Sequence, residues 1–242
     1  MSSAAPVIRR LLWPSVTTAV MLALTTGLGV WQVERLRWKT ELLREIDQGE
    51  AAPAVALASG PGAPAPAPFT KVKVSGVLRQ DLAALYGVEV RSTLAGPVMG
   101  AYLINPLERP GADPVVVNRG WVPVDRVPTG GPVDAGIEGY VRAPERASVI
   151  GLSDDPAARR FYSLDPAAIA ASLGVAHAAP FTLVALGRVP PGTYPEPALA
   201  MPRPPNNHLS YAATWFSLAL ILVVIFSLFV RQTLRARVEE PA

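Results

Sequence analysis

Two stretches without a charged residue, 11–31 and 211–230, bracket this 242-residue chain and decide the solvent it folds in. A helix rises about 1.5 Å per residue and the hydrocarbon core of a bilayer is about 30 Å thick, so about 20 apolar residues cross it. Each stretch has that length. Arg9 and Arg10 precede the first, Glu34 and Arg35 follow it, and Arg231, Arg235 and Arg237 follow the second. One such charge at mid-bilayer costs about 3 kcal/mol on insertion scales, so these charges mark the ends. The chain is expected to cross a membrane twice, with both termini on one side.

The first stretch also invites a reading as a secretory leader, because basic residues precede an apolar run. It exceeds the about 7 to 15 apolar residues of a leader and passes into Trp31-Gln32-Val33-Glu34-Arg35 without an Ala-x-Ala cleavage site. A retained anchor is the expectation. Charge leaves the side open: the terminal arginines face Arg35, Arg37, Lys39, Arg44 and Arg203 on the central side, and long domains translocate largely regardless of charge.

Residues 32–210 are numerous enough to bury a core of their own as one domain. The formal charge is only +3 and the arginines are scattered, so no nucleic-acid surface is expected. Cysteine is absent, which excludes disulfides, thiolate zinc sites, iron-sulfur clusters and catalytic thiols. The four methionines are dispersed and form no soft-ligand site for copper. There is no P-loop, G-x-S-x-G elbow or H-E-x-x-H, and two histidines build neither a metal cage nor a triad. Enzyme chemistry is not expected.

After the first stretch, Trp31, Arg35, Trp38, Leu42 and Ile46 recur at spacings of three or four, with neither Pro nor Gly before Gly49. One helix over 11–48 follows. Residues 51–68 carry Pro53, Pro61, Pro64, Pro66 and Pro68, an Ala/Pro-rich spacer of extended backbone. From Phe69 the period becomes two: Val72 and Val74 alternate with Lys71 and Lys73, and strand-like runs follow at 84–91, 101–106, 115–118, 137–142 and 181–188. Short and punctuated by Gly-Pro, Pro-Gly and Gly-Gly, they predict a β-rich domain, an antiparallel barrel or sandwich. Asp165 suits the cap of one short inserted helix, with Pro166 at its first position and Gly174 near its end. The expected order is an N-terminus (1–10), a first transmembrane helix (11–31), a helical extension (32–50), the spacer (51–68), the β-rich domain (69–206), a second transmembrane helix with its entry motif (207–230) and a tail (231–242). Ala23-x-x-x-Gly27 and Ala213-x-x-x-Ser217 would let the two spans approach closely.

Three clusters carry candidate chemistry. In Gly29-Val30-Trp31-Gln32-Val33-Glu34-Arg35, continuing to Trp38-Lys39, indoles sit beside cations at a membrane boundary, which by itself reads as anchoring in lipid headgroups. In Val117-Asn118-Arg119-Gly120-Trp121, a buried-looking strand runs into a polar turn. Arg119 and Trp121 there fit a partner-binding hot spot; equally, Gly120 fits a hairpin connection with Trp121 packed inward. In Asn207-His208-Leu209-Ser210-Tyr211, followed by Trp215-Phe216, an imidazole stands at the mouth of the second span. It can serve as an axial ligand of haem iron or as an interfacial or capping polar residue. His177, in an Ala-rich loop, is assigned no role.

These clusters, in this order between two terminal spans, resemble the surfeit locus protein 1 family of cytochrome c oxidase assembly factors. The resemblance lies in Gly29-x-Trp31-Gln32-x-x-Arg35, Val117-Asn118-Arg119-Gly120-Trp121-Val122-Pro123, and Asn207-His208-Leu209-x-Tyr211 with Trp215-Phe216. The weaker Phe69-x-x-Val72-x-Val74-x-Gly76 also fits. It implies a protein of the bacterial inner membrane with its central domain in the periplasm and both termini in the cytoplasm. It also implies a non-enzymatic role in maturing the catalytic subunit of haem-copper oxidases, holding haem a, with haem a synthase and membrane lipid as further partners. The family's histidine before the second span maps to His208, which would ligate iron, with Trp31, Arg35, Tyr211 and Trp215 around it if the spans pair. Asn118, Arg119, Gly120 and Trp121 are the candidate partner-binding residues. The other expectation is a scaffold that binds the unfinished subunit and the haem-supplying enzyme without touching haem.

Overall fold

The computed structural model describes residues 5–60, 63–93, 96–145 and 151–238. In chain order its elements are α1 (Ala5–Ala51), β1 (Val55–Ala56), β2 (Lys71–Arg79), β3 (Ala84–Thr93), β4 (Gly96–Arg109), β5 (Ala112–Pro123), β6 (Pro132–Arg142), β7 (Arg160–Phe161), α2 (Pro166–Ser172), β8 (Thr182–Ala185) and α3 (His208–Val238). They fall into two compact units. One joins the chain up to Arg44 with the chain from Arg203 on; the other is Glu45–Pro202.

The first unit is the helical one. Leucine, glutamate, arginine and glutamine favour helix throughout residues 32–48, so α1 continues well past its apolar part. Pro14 lies inside it and forfeits one intrahelical hydrogen bond. Both α1 and α3 are long and apolar enough to cross a membrane. Leu24, Leu220 and Ile225 are exposed on their surfaces, the pattern of helices whose solvent is lipid.

The second unit is built on one sheet of order β1-β2-β6-β8-β5-β4-β3-β7. Two residue pairs, Val77 with Glu108 and Leu78 with Leu107, also join β2 to β4. The sheet is mixed, which corrects the expectation of antiparallel pairing throughout: β1 with β2, β3 with β7 and β5 with β8 run parallel. Parallel neighbours need a long connection, and for β5 and β8 the chain between them, which holds β6, β7 and α2, supplies it. Three successive valines of β5 are buried because both faces of that strand are covered. Val115 and Val117 enter a cluster with Val72, Leu107 and Leu183, while Val116 enters another with Ile104, Phe161 and Ile169 of α2. The inserted helix has the expected ends: the Asp165 carboxylate accepts from Ala167 N at 2.9 Å, Pro166 is the first helical residue, and Gly174 takes φ +75° beyond the last turn.

Part of the spacer runs against the sheet. Residues 55–58 are knitted onto the sheet: Val55 pairs with Val72, Leu57 N donates to Lys73 O at 2.9 Å, and the Arg109 guanidinium donates to Ala58 O at 3.0 Å. Leu57 packs against the first core cluster. The last turn of α1 belongs to this unit too, with the Lys71 ammonium donating to Glu50 O at 2.7 Å. Between Pro53 and Pro61 the chain carries Val55 and Leu57 two residues apart, a short alternation hidden by the prolines around it.

Candidate functional site

In the helical unit, α1 and α3 touch along a seam. Three contacts define it: His208 to Gln32, Asn206 to Thr40, and Phe216 against Gly29. On α1 the inward positions 22, 25, 29, 32, 36 and 39 alternate steps of three and four, as do 208, 212, 215, 219 and 222 on α3. The small residues that permit contact are Gly29, Ala212 and Ala219. A Cβ on Gly29 would lie 2.7 Å from the Phe216 ring. Ala23, Gly27, Ala213 and Ser217, expected to serve this purpose, are exposed instead, and nothing lies within 4 Å of a Cβ built on Gly27.

His208 is the first residue of α3. Its Nδ1 lies 2.7 Å from the Oε1 of Gln32, whose side chain is 8% exposed. Farther along α1, Asn206 Nδ2 donates to Thr40 Oγ1 at 3.4 Å, and Asn206 Oδ1 is buried with no hydrogen-bond partner. The indoles and cations form a separate ladder. The Arg35 guanidinium lies 5.9 Å from the Trp31 ring and 5.1 Å from the Trp38 ring, and Lys39 Nζ is 5.8 Å from Trp38. Among the described residues Arg35 pairs with no carboxylate. Trp31 and Tyr211 are 48% and 57% exposed, and Trp215 lies half-buried on the seam two turns beyond His208. No described contact joins Trp31, Arg35, Tyr211 or Trp215 to His208.

The chemistry of the donors narrows what the imidazole can hold. Among the described residues no group of three or more His, Asp or Glu side chains gathers to cage an ion. A lone imidazole paired with one amide suits an iron whose other ligands arrive with it, as in a porphyrin. It does not suit a metal held by protein alone.

The second cluster, in the β unit, is not a turn. The strand runs on through Pro123, and the pairing with β4 skips Arg119, because Ile104 opposes Asn118 while Leu103 opposes Gly120. This is a bulge. Asn118 Oδ1 accepts from Gly120 N at 3.0 Å, and Gly120 takes φ +121° with the Glu196 carbonyl pressed against it. Trp121, 1% exposed, is sealed in: its Nε1 donates to Glu89 O at 3.2 Å and its ring meets Tyr194 edge-on at 5.8 Å. The Arg91 guanidinium lies 4.8 Å from that indole and binds both Glu89 and Glu196. Burial pushes the Glu89 carboxyl up, but the hydrogen bonds from Arg91 and from Tyr102 outweigh it and hold the group below its ordinary range. Arg119 is half-buried, with one hydrogen bond among the described residues, to Asn105 Oδ1 at 3.3 Å, and burial lowers its pKa. Arg91, Glu196 and Gln32 were given no role by sequence reasoning. The first two meet 105 residues apart, and Gln32 stood in the Gly29-x-Trp31-Gln32-x-x-Arg35 motif with no contact assigned to it.

The family model described as the SURF1 family matches residues 19–220. The chain belongs to the SURF1 family. The match begins within α1 and ends within α3, so it takes in the Gln32–His208 contact, the indole ladder and the β5 bulge together. Among SURF1 relatives, a SURF1-like protein of Monosiga brevicollis is 29% identical over 84% of this chain and 82% of its own length. Surfeit locus protein 1 of Homo sapiens is 28% identical over 86% of the chain and 74% of its own, and a SURF1-like protein of Rickettsia prowazekii 27% over 88% and 86%.

Proposed function

We propose that this SURF1 protein assists the assembly of a haem-copper terminal oxidase by holding haem a at the membrane boundary and passing it to the catalytic subunit. The observation that carries the reading is the imidazole of His208, fixed against Gln32 at the entry of a membrane-length helix. Haem a would supply there an iron that accepts an imidazole ligand. His208 would give the ligating nitrogen, Trp31 and Tyr211 apolar surface, and Arg35, which pairs with no carboxylate among the described residues, a charge for propionates. Such a protein binds and releases without turnover chemistry. Its partners on this reading are the catalytic subunit, haem a synthase and membrane lipid, and its central domain is periplasmic with both termini cytoplasmic.

The test is purification alongside haem a synthesis and a visible absorption spectrum. The wild type is expected to carry haem a. His208→Ala should show partial loss and a shifted spectrum, since other contacts persist, and the exposed His177→Ala should match the wild type. A His208→Ala protein with unchanged spectrum and occupancy removes His208 as the ligand. A wild type that never acquires haem leaves the scaffold reading in its place. Reporter fusions near Gly62 and at the C-terminus check the topology: cytoplasmic activity at the first and none at the second would refute it.

A further inference from the structure

We propose that Gln32 is the positioning residue for His208: it fixes the imidazole in the tautomer that carries its hydrogen on Nδ1 and so presents the bare Nε2 outward as a ligand. This rests on the reading of His208 as an iron ligand. A neutral imidazole has one N–H and one lone pair, and the partner of one nitrogen decides which is which. The partner here is a carbonyl oxygen, Gln32 Oε1, 2.7 Å from Nδ1. A carbonyl only accepts, so in this amide orientation the tautomer that makes the bond carries its hydrogen on Nδ1. The bond also fixes the ring's rotation, which a single side chain at the start of a helix does not do for itself.

The place of Gln32 makes the pairing specific. Position 32 lies on the inward spacing shared with Gly29 and Leu36, where a leucine would pack without cost. Burying an amide there is unfavourable unless its polar atoms are bonded, and the His208 ring is its described side-chain partner. A buried polar residue on a helix seam can also serve only to fix register. The two roles differ in what they do to the imidazole. Register alone is indifferent to which nitrogen carries hydrogen; positioning is defined by it.

The experiment uses the full chain in detergent micelles with nitrogen-15 in its two histidines, so that the exposed His177 is an internal reference for His208. Without haem, the wild type should show His208 Nδ1 as an N–H nitrogen and Nε2 as a bare one, and Gln32→Leu should bring His208 to the averaged pattern of His177. Gln32→Glu keeps an acceptor and should keep the Nδ1–H form. Titrated with haemin, Gln32→Leu should bind about 10- to 100-fold more weakly than wild type, the usual effect of removing an outer partner of a ligating histidine. The reduction potential of bound haem should fall in Gln32→Glu, whose carboxylate makes the imidazole more basic, a shift that a register role would not produce. Hydrogen on Nε2 in the wild type, or on Nδ1 in Gln32→Leu, overturns the proposal. Should the tautomer behave as stated while wild type takes up no haem, the pairing stands and the haem reading falls.

Discussion

Gly120→Ala perturbs the join between β5 and the segment around Glu196 through a single added carbon. That Cβ would stand 1.9 Å from the Glu196 carbonyl oxygen, on a residue with φ +121°. Holding alanine at such a φ costs about 1–3 kcal/mol. Rotating a side chain cannot relieve the collision, because the atom struck is backbone. The segment around Glu196 must retreat, and with it go two hydrogen bonds of 2.8 Å, Trp121 N to Glu196 O and Glu196 N to Trp121 O. Two such bonds contribute about 1–3 kcal/mol net. The sum, about 2–6 kcal/mol, is a large part of the about 5–15 kcal/mol that holds an ordinary domain together. Gly111→Ala is the control: φ is +67° and the space around its Cβ is open, so backbone strain of about 1–2 kcal/mol is its whole cost. Amide hydrogen exchange on the full chain reads the difference. In Gly120→Ala the Trp121 and Glu196 amides should lose protection by about 30-fold or more, since each 1.4 kcal/mol is tenfold, and in Gly111→Ala they should change far less. Unchanged protection of these two amides in Gly120→Ala would refute the reasoning, and equal losses in both variants would assign the effect to φ alone.

Glu89 and Asp154 are both held below the ordinary carboxylate range. Each is pushed up by burial, but hydrogen bonds from Arg91 and Tyr102, and from Ser163 and the Tyr162 and Ser163 amides, outweigh that push. Their contribution is therefore present above the unfolded carboxylate pKa of about 4 and lost as pH falls through the lowered values, so Glu89→Gln should flatten the acid limb of a melting-temperature profile. Burial raises the Tyr86 hydroxyl to about 12, so stability complete below pH about 10 should decline between 10 and 12, and Tyr86→Phe should remove that decline. Gly29→Val should loosen the helix pair by about 1–3 kcal/mol, because its Cβ meets Phe216, and Phe216→Ala should restore part of it; additive effects in a double-mutant cycle would separate the two residues.

The helices were legible because their signal is local. Length without charge sets the spans, and the Asp165-Pro166 cap announces α2 within three residues. The strands were legible in position, since alternation survives in Val72 and Val74, but not in direction. Whether β8 runs parallel or antiparallel to β5 depends on what lies between them in space, and period two is the same either way. Gly120 misled for a related reason: a glycine with positive φ suits a hairpin turn and a bulge equally, and only the pairing with β4 decides. In the candidate site, His208 stood out by type and place. Its neighbour did not, because Gln32 is 176 residues away and amides are ordinary on helices.

The β5 bulge also engages most of that cluster in internal contacts. Asn118 spends its carbonyl on the Gly120 amide, Gly120 is walled in by the Glu196 backbone, and Trp121 is buried under Arg91 and Tyr194. Each would have to abandon an internal contact to meet another molecule, and for Trp121 that means emptying a core position at about 3–5 kcal/mol. Arg119 differs. It is half-buried, its one bond is to a neutral amide, and Asn105 is itself pinned by Arg79 O and Leu82 O at 3.0 and 2.9 Å. A guanidinium desolvated without a carboxylate gains from an incoming one, so Arg119 is the member of this cluster with free capacity for an acidic group.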